Sequence, residues 1–293
     1  MHNTYIRNDV ITRILKRRGR RHIHSHVDAA RTALVVIDMQ NAFVDSANPS
    51  AVPLALQIVP TINHLATELR NHGGTVTWVY TTFDDSTKTQ WNAFFGGVYN
   101  DEFSDAVINH LRINSDGHAL WHELDVQPND PQFGKDRFSA FLPGHCDLPA
   151  YLREQQIDTV LIAGTVTNVC CESSARDALM QNFNVIMVSD ANAALSDADH
   201  NASGPCGKFG DKIFTATVVR ARRKNAGIAG PTSNFFNAAM ATVAKKSVIE
   251  LSARPTSMTA IAQTFGDVMS ADELLRRLQA AVAVADSEHT ALQ

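Results

Sequence analysis

Residues 159–190 read TVLIAGTVTNVCCESSARDALMQNFNVIMVSD. The stretch opens on a continuous apolar run (159–164) and crosses a turn. It then continues as a helix-like segment (168–182) and closes on a second apolar run (184–190). Short apolar runs without polar alternation are expected of strands buried on both faces. Working outward, ALVVID (33–38) and TVTWVY (75–80) are runs of the same kind. Between them, residues 54–72 place Leu54, Ile58, Ile62 and Leu65 on one helical face and end near Gly73 and Gly74; residues 148–155 are helix-like too. FGDVMS (265–270) reads as a last short strand, with Ser270 capping a final helix, ADELLRRLQAAVAVA. Alternating strands and helices predict a mainly parallel sheet with helices on both faces.

The composition, 44% hydrophobic and 19% charged over 293 residues, suits a soluble chain with a sizeable core, either one large domain or two small ones. No stretch has the length of a transmembrane helix. The first 31 residues lack the apolar centre of a secretory signal, although their Arg-rich, acid-poor character leaves a transit-peptide reading open. Cys146, Cys170, Cys171 and Cys206 are too few for a disulfide framework, and adjacent cysteines rarely bond to each other. Free thiols in a reducing, cytoplasmic setting are expected. The net charge of −4 conceals a partition: residues 1–31 carry +6, residues 204–257 carry +7, and the remainder carries −17. Blocks of one sign are usually solvated tails.

In open parallel sheets, ligands sit beyond the carboxyl ends of the strands. Asp38 closes the first strand. Lys135 follows the short apolar PQF in GKDRFSAF. Cys170 follows LIAGTVTN and opens a helix. A cysteine there feels the positive end of the helix dipole, and a nearby lysine is expected to depress its pKa further. A carboxylate could accept the thiol proton and pass it to a leaving amine, and backbone N–H groups of the turn could hold an oxyanion. Each residue alone has a bland reading as a turn residue, a solvated lysine or an inert core thiol. No G-x-G-x-x-G follows the first strand and no Walker A loop is present, so no nucleotide cofactor is expected.

ALVVIDMQNAFV, KDRFSAF and LIAGTVTNVCCESSARDALMQNFNVIMVSDANAA together resemble the isochorismatase-like cysteine hydrolases, a family that includes nicotinamidases, N-carbamoylsarcosine amidase, biuret hydrolase and ureidoacrylate hydrolases. The resemblance runs from about residue 30 to 203 and resumes near 258. With the strand pattern it implies a three-layer α/β/α fold around a Rossmann-like, six-stranded sheet. It also implies Asp38 as general base, Lys135 as second catalytic residue and Cys170 as nucleophile. Val166 and Thr167, joined by a cis peptide in the turn before the nucleophile, are the implied oxyanion site. The family pattern T-x-x-C ends at Cys170. Cys171, about 100° further round the helix, is expected to point into packing.

Members that cleave isochorismate, an enol ether, typically carry glycine in place of the nucleophile, so a cysteine favours C–N bond hydrolysis. Metal-binding nicotinamidases carry an Asp-x-His pair after the first strand; DSANPS (45–50) has none, and no metal is expected. The i, i+4 pair His118 and His122 is read as polar residues beside a turn rather than a metal site. The expected substrate is a small linear amide, ureide or carbamoyl compound, with Gln40, Phe43, Phe83, Trp91 and Phe138 as candidates for the pocket wall. Arg176 and Asp177 are read as structural. The resemblance further implies a homo-oligomer, dimer or tetramer. An ether hydrolase and a nicotinamidase-like amidase are the alternatives within the fold. A catalytically silent binding module is the competing class, but RILKRRGRRHIHSH (13–26) and RARRKNAG (220–227) have little aromatic interleaving, so nucleic acid is not the expected partner.

The domain plan is thus a basic arm over 1–31, a hydrolase domain over 32–203 plus 258–293, and a basic insertion over 204–257. Ser196 is a candidate N-cap for a helix in SDADHNAS (196–203), and joining Ser203 to Met258 restores one uninterrupted helical pattern. The insertion is either surplus sequence, such as a retained untranslated stretch, or a lid or partner-binding arm. Looping out a segment costs mainly closure entropy, which grows slowly with length. A chain lacking 204–257 is therefore expected to match or exceed the full chain in thermal stability and to keep its hydrolase activity. A deletion protein that folds but is inactive would assign the segment to the active site.

Overall fold

The computed structural model describes residues 1–4, 6, 8–201 and 266–278. The expectations for 204–257, and for a helix resuming at Met258, lie outside these residues. The apolar runs become strands within one to three residues of their sequence limits: β1 (Thr32–Ile37), β2 (Thr75–Thr81), β4 (Thr159–Thr165), β5 (Asn184–Ala193) and β6 (Asp267–Met269). With β3 (Gln132–Lys135) they form one six-stranded sheet, all parallel, in the order β3-β2-β1-β4-β5-β6.

Every residue of β1 and β4 is buried, as continuous apolar runs require. Side-chain alternation divides each strand between two cores. Leu34 and Val36 join Ile58, Ile62, Leu65 and Leu69 of α3 (Ala55–Asn71) on one face. Ala33, Val35 and Ile37 join Leu148 and Leu152 of α7 (Leu148–Glu154) and Ala175 and Ala178 of α8 (Glu172–Met180) on the other. A final helix, α10 (271–278), covers the first face, and Ser270 caps it by accepting from Glu273 N at 3.2 Å. Three layers result. None of the described helices is long and apolar enough to cross a membrane.

Two features went beyond the local patterns. Residues 84–111 are largely helical: α4 (Thr87–Gln90) and α5 (Asn92–Phe95) lead to α6 (Asp101–His110), capped by Asn100 accepting from Phe103 N. A separate aromatic cluster around Phe83 and Phe95 lies beneath them, with α2 (Asn41–Val44) contributing Ala42. The basic arm is also not simply a solvated tail. Residues 8–18 form α1 (Asn8–Arg18), whose Val10 and Ile14 are buried in the same core as α7 and α8. Arg13, Lys16 and Arg17 of α1 are exposed, so a segment of one charge sign still contributes two core residues. Beyond it, His22 Nδ1 lies 2.9 Å from Asp267 Oδ1, and Ile23 N and His24 N donate to Asp267 Oδ2 at 2.7 and 3.1 Å. These bonds tether the arm to β6.

Ile14→Ala is accordingly expected to lower unfolding free energy by about 2–5 kcal/mol, as for a truncated core aliphatic. Arg13→Ala, at an exposed site on the same helix, should change it by about 0.5 kcal/mol or less. Urea unfolding of both variants checks this. Equal, negligible effects would return the arm to the solvated class.

Candidate active site

Parallel register brings four strand ends together at one edge of the sheet. Asp38 follows β1, with its N–H donating to Val79 O of β2 at 2.9 Å and a left-handed φ of 52° that turns the chain off the strand. Thr81 ends β2 and stands opposite Lys135 at the end of β3. Cys170 lies in a five-residue turn after β4, Thr167–Cys171, closed at its end by an i→i+5 bond from Cys171 N to Val166 O of 3.3 Å. Such π-type turns are frequent at functional sites.

The strands carrying Asp38 and Cys170 approach closely because Gly164 pairs with Ile37. A Cβ at position 164 would stand 2.0 Å from Ile37 O, and its φ of +115° also favours glycine. On its other side β4 meets an irregularity, where its pairing with β5 shifts from Ile162–Met187 to Gly164–Asn192. Asn192 Nδ2 serves the carbonyls there, donating to Ile162 O at 2.8 Å and Val188 O at 2.7 Å.

Lys135 Nζ is the hub. It donates to Asp38 Oδ2 at 2.9 Å, Thr81 Oγ1 at 2.6 Å and Arg137 O at 3.2 Å, and stands 3.6 Å from Cys170 Sγ. An ammonium has three donors, and the three oxygens match them. Thr81 Oγ1 in turn donates to Asp38 Oδ1 at 2.9 Å, and Thr165 Oγ1 donates to Asp38 O at 2.7 Å. Asp38 is 1% exposed, Lys135 2% and Cys170 7%.

Burial alone would lower the Lys135 pKa, but the Asp38 carboxylate and Cys170 outweigh it, and the ammonium is held charged. The Cys170 thiol goes the other way from expectation. Burial pushes its pKa up, the Asp38 charge pushes it further, and Lys135 offsets only part of this. Lys135 favours the thiolate, but burial and the Asp38 charge together outweigh it. Burial and the Asp38 charge thus both favour the thiol form of Cys170 over the thiolate. Cys171 is fully buried in the core, and burial raises its pKa well above the ordinary value; burial likewise pushes Cys146 up to about 11.

The cis peptide joins Thr165 and Val166, one bond earlier than the Val166–Thr167 position expected. β4 runs on to Thr165, which pairs with Ala193 and is tied to Asp38 O, so the chain leaves the strand directly after it. Gln40 is fully buried and its amide bonds backbone: Nε2 donates to Thr81 O and His118 O, and Oε1 accepts from Thr81 N. It secures the ends of β1 and β2 instead of presenting a polar group to a ligand. Phe83 is buried edge-on against Phe95 at 5.3 Å, and Phe43 packs between two cores.

Phe138 packs against the core that contains Cys170 and meets Trp91 and Phe94 at centroid distances of 4.8 and 5.1 Å. The aromatic segment over 91–95 thus leans on a residue packed against the core that holds Cys170. Arg137 lies over the Trp91 ring at 5.0 Å and donates to Gln90 O at 3.2 Å, while its own carbonyl holds Lys135. Thr81, Phe94 and Arg137 were not singled out from sequence. Thr81 reads as an ordinary β-branched strand residue until register sets it opposite Lys135.

His118 and His122 do not share a helix face. Residues Asp116–His118 form a single 3₁₀ turn, His118 Nε2 lies 2.8 Å from Thr82 Oγ1, and the His122 side chain is exposed. Among the described residues no three His, Cys, Asp or Glu side chains are grouped to hold a metal ion. Arg176 pairs one helical turn back with Glu172, its Nε donating to Oε1 at 2.9 Å.

Comparison with known proteins agrees with this architecture. The isochorismatase domain matches residues 32–204. The isochorismatase family protein YwoC of Bacillus subtilis (strain 168) is 30% identical over 178 residues, which cover 61% of this chain and 86% of that protein. Ureidoacrylate amidohydrolase RutB of Caulobacter segnis is 27% identical over 198 residues, covering 61% of this chain and 76% of RutB. A solved structure of a cysteine hydrolase from Pseudomonas syringae pv. phaseolicola 1448A aligns with a TM-score of 0.59 at 26% identity, over 87% of this chain and 95% of that one. With the domain match spanning more than half of its length and the six-stranded parallel sheet beneath it, the chain belongs to the isochorismatase family of hydrolases.

Proposed function

We propose that this hydrolase cleaves a C–N bond in a small amide, ureide or carbamoyl compound, with Cys170 as nucleophile, Asp38 as proton acceptor and Lys135 as fixed cation. The observation that carries the reading is the buried Lys135 ammonium, 2.9 Å from Asp38 and 3.6 Å from the Cys170 sulfur. A buried charge is retained only where it is paired, and this pair stands against a thiol at the carboxyl edge of the sheet. RutB acts on ureidoacrylate, and the solved relative is a cysteine hydrolase, which favours the C–N branch over ether cleavage.

The chemistry follows from the resting protonation state. The Cys170 thiol gives its proton to Asp38 as sulfur attacks the substrate carbonyl carbon. The C=O pair moves to oxygen, and backbone N–H groups of the turn around Val166 and Thr167 bind that oxyanion. As the C–N bond breaks, Asp38 returns the proton to the leaving nitrogen, releasing ammonia or an amine and leaving a thioester or thiocarbamate on Cys170. Water then adds with Asp38 as base, and the C–S bond breaks to regenerate the thiol. Lys135 stays protonated throughout and keeps Asp38 oriented through Oδ2 while Thr81 holds Oδ1. No step needs a metal or cofactor. Phe138 and Trp91 supply the apolar wall for a small substrate. Assembly as a homo-oligomer and a cytoplasmic location belong to the same proposal, and light scattering on the purified chain tests the first.

The test is an ammonia-release screen over small amides, ureides and carbamoyl amino acids. Cys170→Ala is expected to abolish turnover on any substrate found, and persistence of activity would sink the nucleophile assignment. A chelator is expected to leave the rate unchanged; loss restored by zinc would move the protein to the nicotinamidase reading.

Asp38→Asn should reduce turnover by about 10²- to 10⁴-fold by removing the proton acceptor. The same substitution has a second, opposite signature. The Asp38 charge raises the Cys170 pKa, so removing it should shift the midpoint of Cys170 alkylation by iodoacetamide to lower pH. Peptide mapping across a pH series reads both the site and the midpoint. An unchanged or higher midpoint would show that Asp38 does not act on the thiol.

A further inference from the structure

The turn that carries Cys170 begins at Thr167, which is fully buried and whose hydroxyl meets a cluster that the mechanism above does not use. Thr167 Oγ1 lies 2.9 Å from His200 Nδ1. His200 belongs to α9 (Asp197–Asn201), a short helix capped by Ser196 Oγ, which accepts from Asp199 N at 3.1 Å. The ring is fully buried, and burial with the neighbouring His2 lowers its pKa to about 3, so it is an uncharged ring at neutral pH. Its other nitrogen, Nε2, lies 3.2 Å from Thr4 Oγ1.

The opposite wall of the cluster is the start of the arm. His2 stacks on His200 with centroids 4.4 Å apart and planes inclined by 18°. Ala194 N–H donates to His2 Nε2 at 2.9 Å, so the ring proton is on Nδ1, which donates to Asp197 Oδ1 at 2.7 Å. Asn201 Nδ2 donates to Asn3 O at 2.8 Å. Residues 2–4 therefore hold α9 at three successive positions, by stacking and side-chain bonds at His2, a backbone carbonyl at Asn3 and a hydroxyl at Thr4. His200 is the point where this contact meets the nucleophile's turn.

Buried polar groups are ordinarily satisfied, and a neutral imidazole between two hydroxyls meets that need. Packing alone would be served by any ring of this size. The hydrogen bond to Thr167 does something packing does not. It sets the first residue of a five-residue turn whose last bonds, Val169 N and Cys171 N to Val166 O, orient Cys170. Displacing a catalytic group by about 1 Å from a distance can lower a rate about 10²-fold.

We infer that His200, locked by His2 and Thr4, is a positioning residue that fixes Thr167 and so aims Cys170 at Asp38, which makes residues 2–4 a working part of the active site. The inference rests on the assignment of Cys170 as nucleophile.

The two nitrogens of His200 can be tested separately in the full chain. Asparagine places a polar group near the position of Nδ1, facing Thr167; glutamine places one near Nε2, facing Thr4. Both lose the ring and its stacking on His2, so a packing role predicts that they fail alike. The positioning role predicts that His200→Asn exceeds His200→Gln by about 10-fold or more in kcat and in the substrate-free rate of Cys170 alkylation, with KM differing by about threefold or less. Equal rates in the two variants, or rates that simply follow their melting temperatures, would overturn the inference. If either variant fails to accumulate as folded protein, Thr167→Ser and Thr167→Val carry the same comparison, because only serine keeps the hydroxyl. A valine variant as fast as the serine one would be equally fatal. Alkylation of the unaltered chain is the separate control. If Cys170 is not labelled ahead of Cys146 and Cys171 there, and Cys170→Ala stays active, it is the nucleophile assignment that has failed.

Discussion

The buried ion pair between Lys135 and Asp38 is the interaction on which the rest of the site depends. Two opposite charges removed from water carry a desolvation penalty of several kcal/mol each, and mutual attraction offsets it only when the remaining donors and acceptors are satisfied. Here they are. Thr81 occupies the second carboxylate oxygen and one ammonium proton, and Arg137 O takes another. Lys135 offsets only part of the rise in the Cys170 pKa that burial and the Asp38 charge cause. In the proposed mechanism, the thiol stands next to a carboxylate that takes its proton at the moment of attack.

Holding that pair in place is the work of the sheet. Asp38, Thr81 and Lys135 are each the last or next residue of neighbouring strands, and parallel register alone brings them level. The approach of β4 to β1 requires glycine at 164, and Asn192 satisfies the carbonyls left where the β4–β5 pairing slips. Behind the turn, the arm reaches the site from the far side of the chain. His22, Ile23 and His24 anchor it on Asp267, Val10 and Ile14 bury it, and His2 and Thr4 reach His200. A segment that charge alone marks as an appendage thus shares the core of the hydrolase domain.

By itself, the sequence determined most strands of the sheet and its layering, and it singled out Asp38, Lys135 and Cys170, which the fold brings together. Continuous apolar runs leave little freedom in where parallel strands lie, because both faces must be buried. Thr-x-x-Cys after such a run places Cys170 at the turn and turns Cys171 into the core. Those are local properties, written in neighbours a few residues apart. The tertiary structure alone decided the rest. Thr81 joins Asp38 across 43 positions and His2 joins Asp197 across 195, and no periodicity encodes such pairings. Gln40, a polar residue two positions after Asp38, is occupied by backbone that only the packed turn at 116–118 and the end of β2 bring within reach. The state of the Cys170 proton was equally beyond the sequence, because it follows from how much water is excluded and from which charge faces Lys135, and both are set by three-dimensional packing rather than by residue identity.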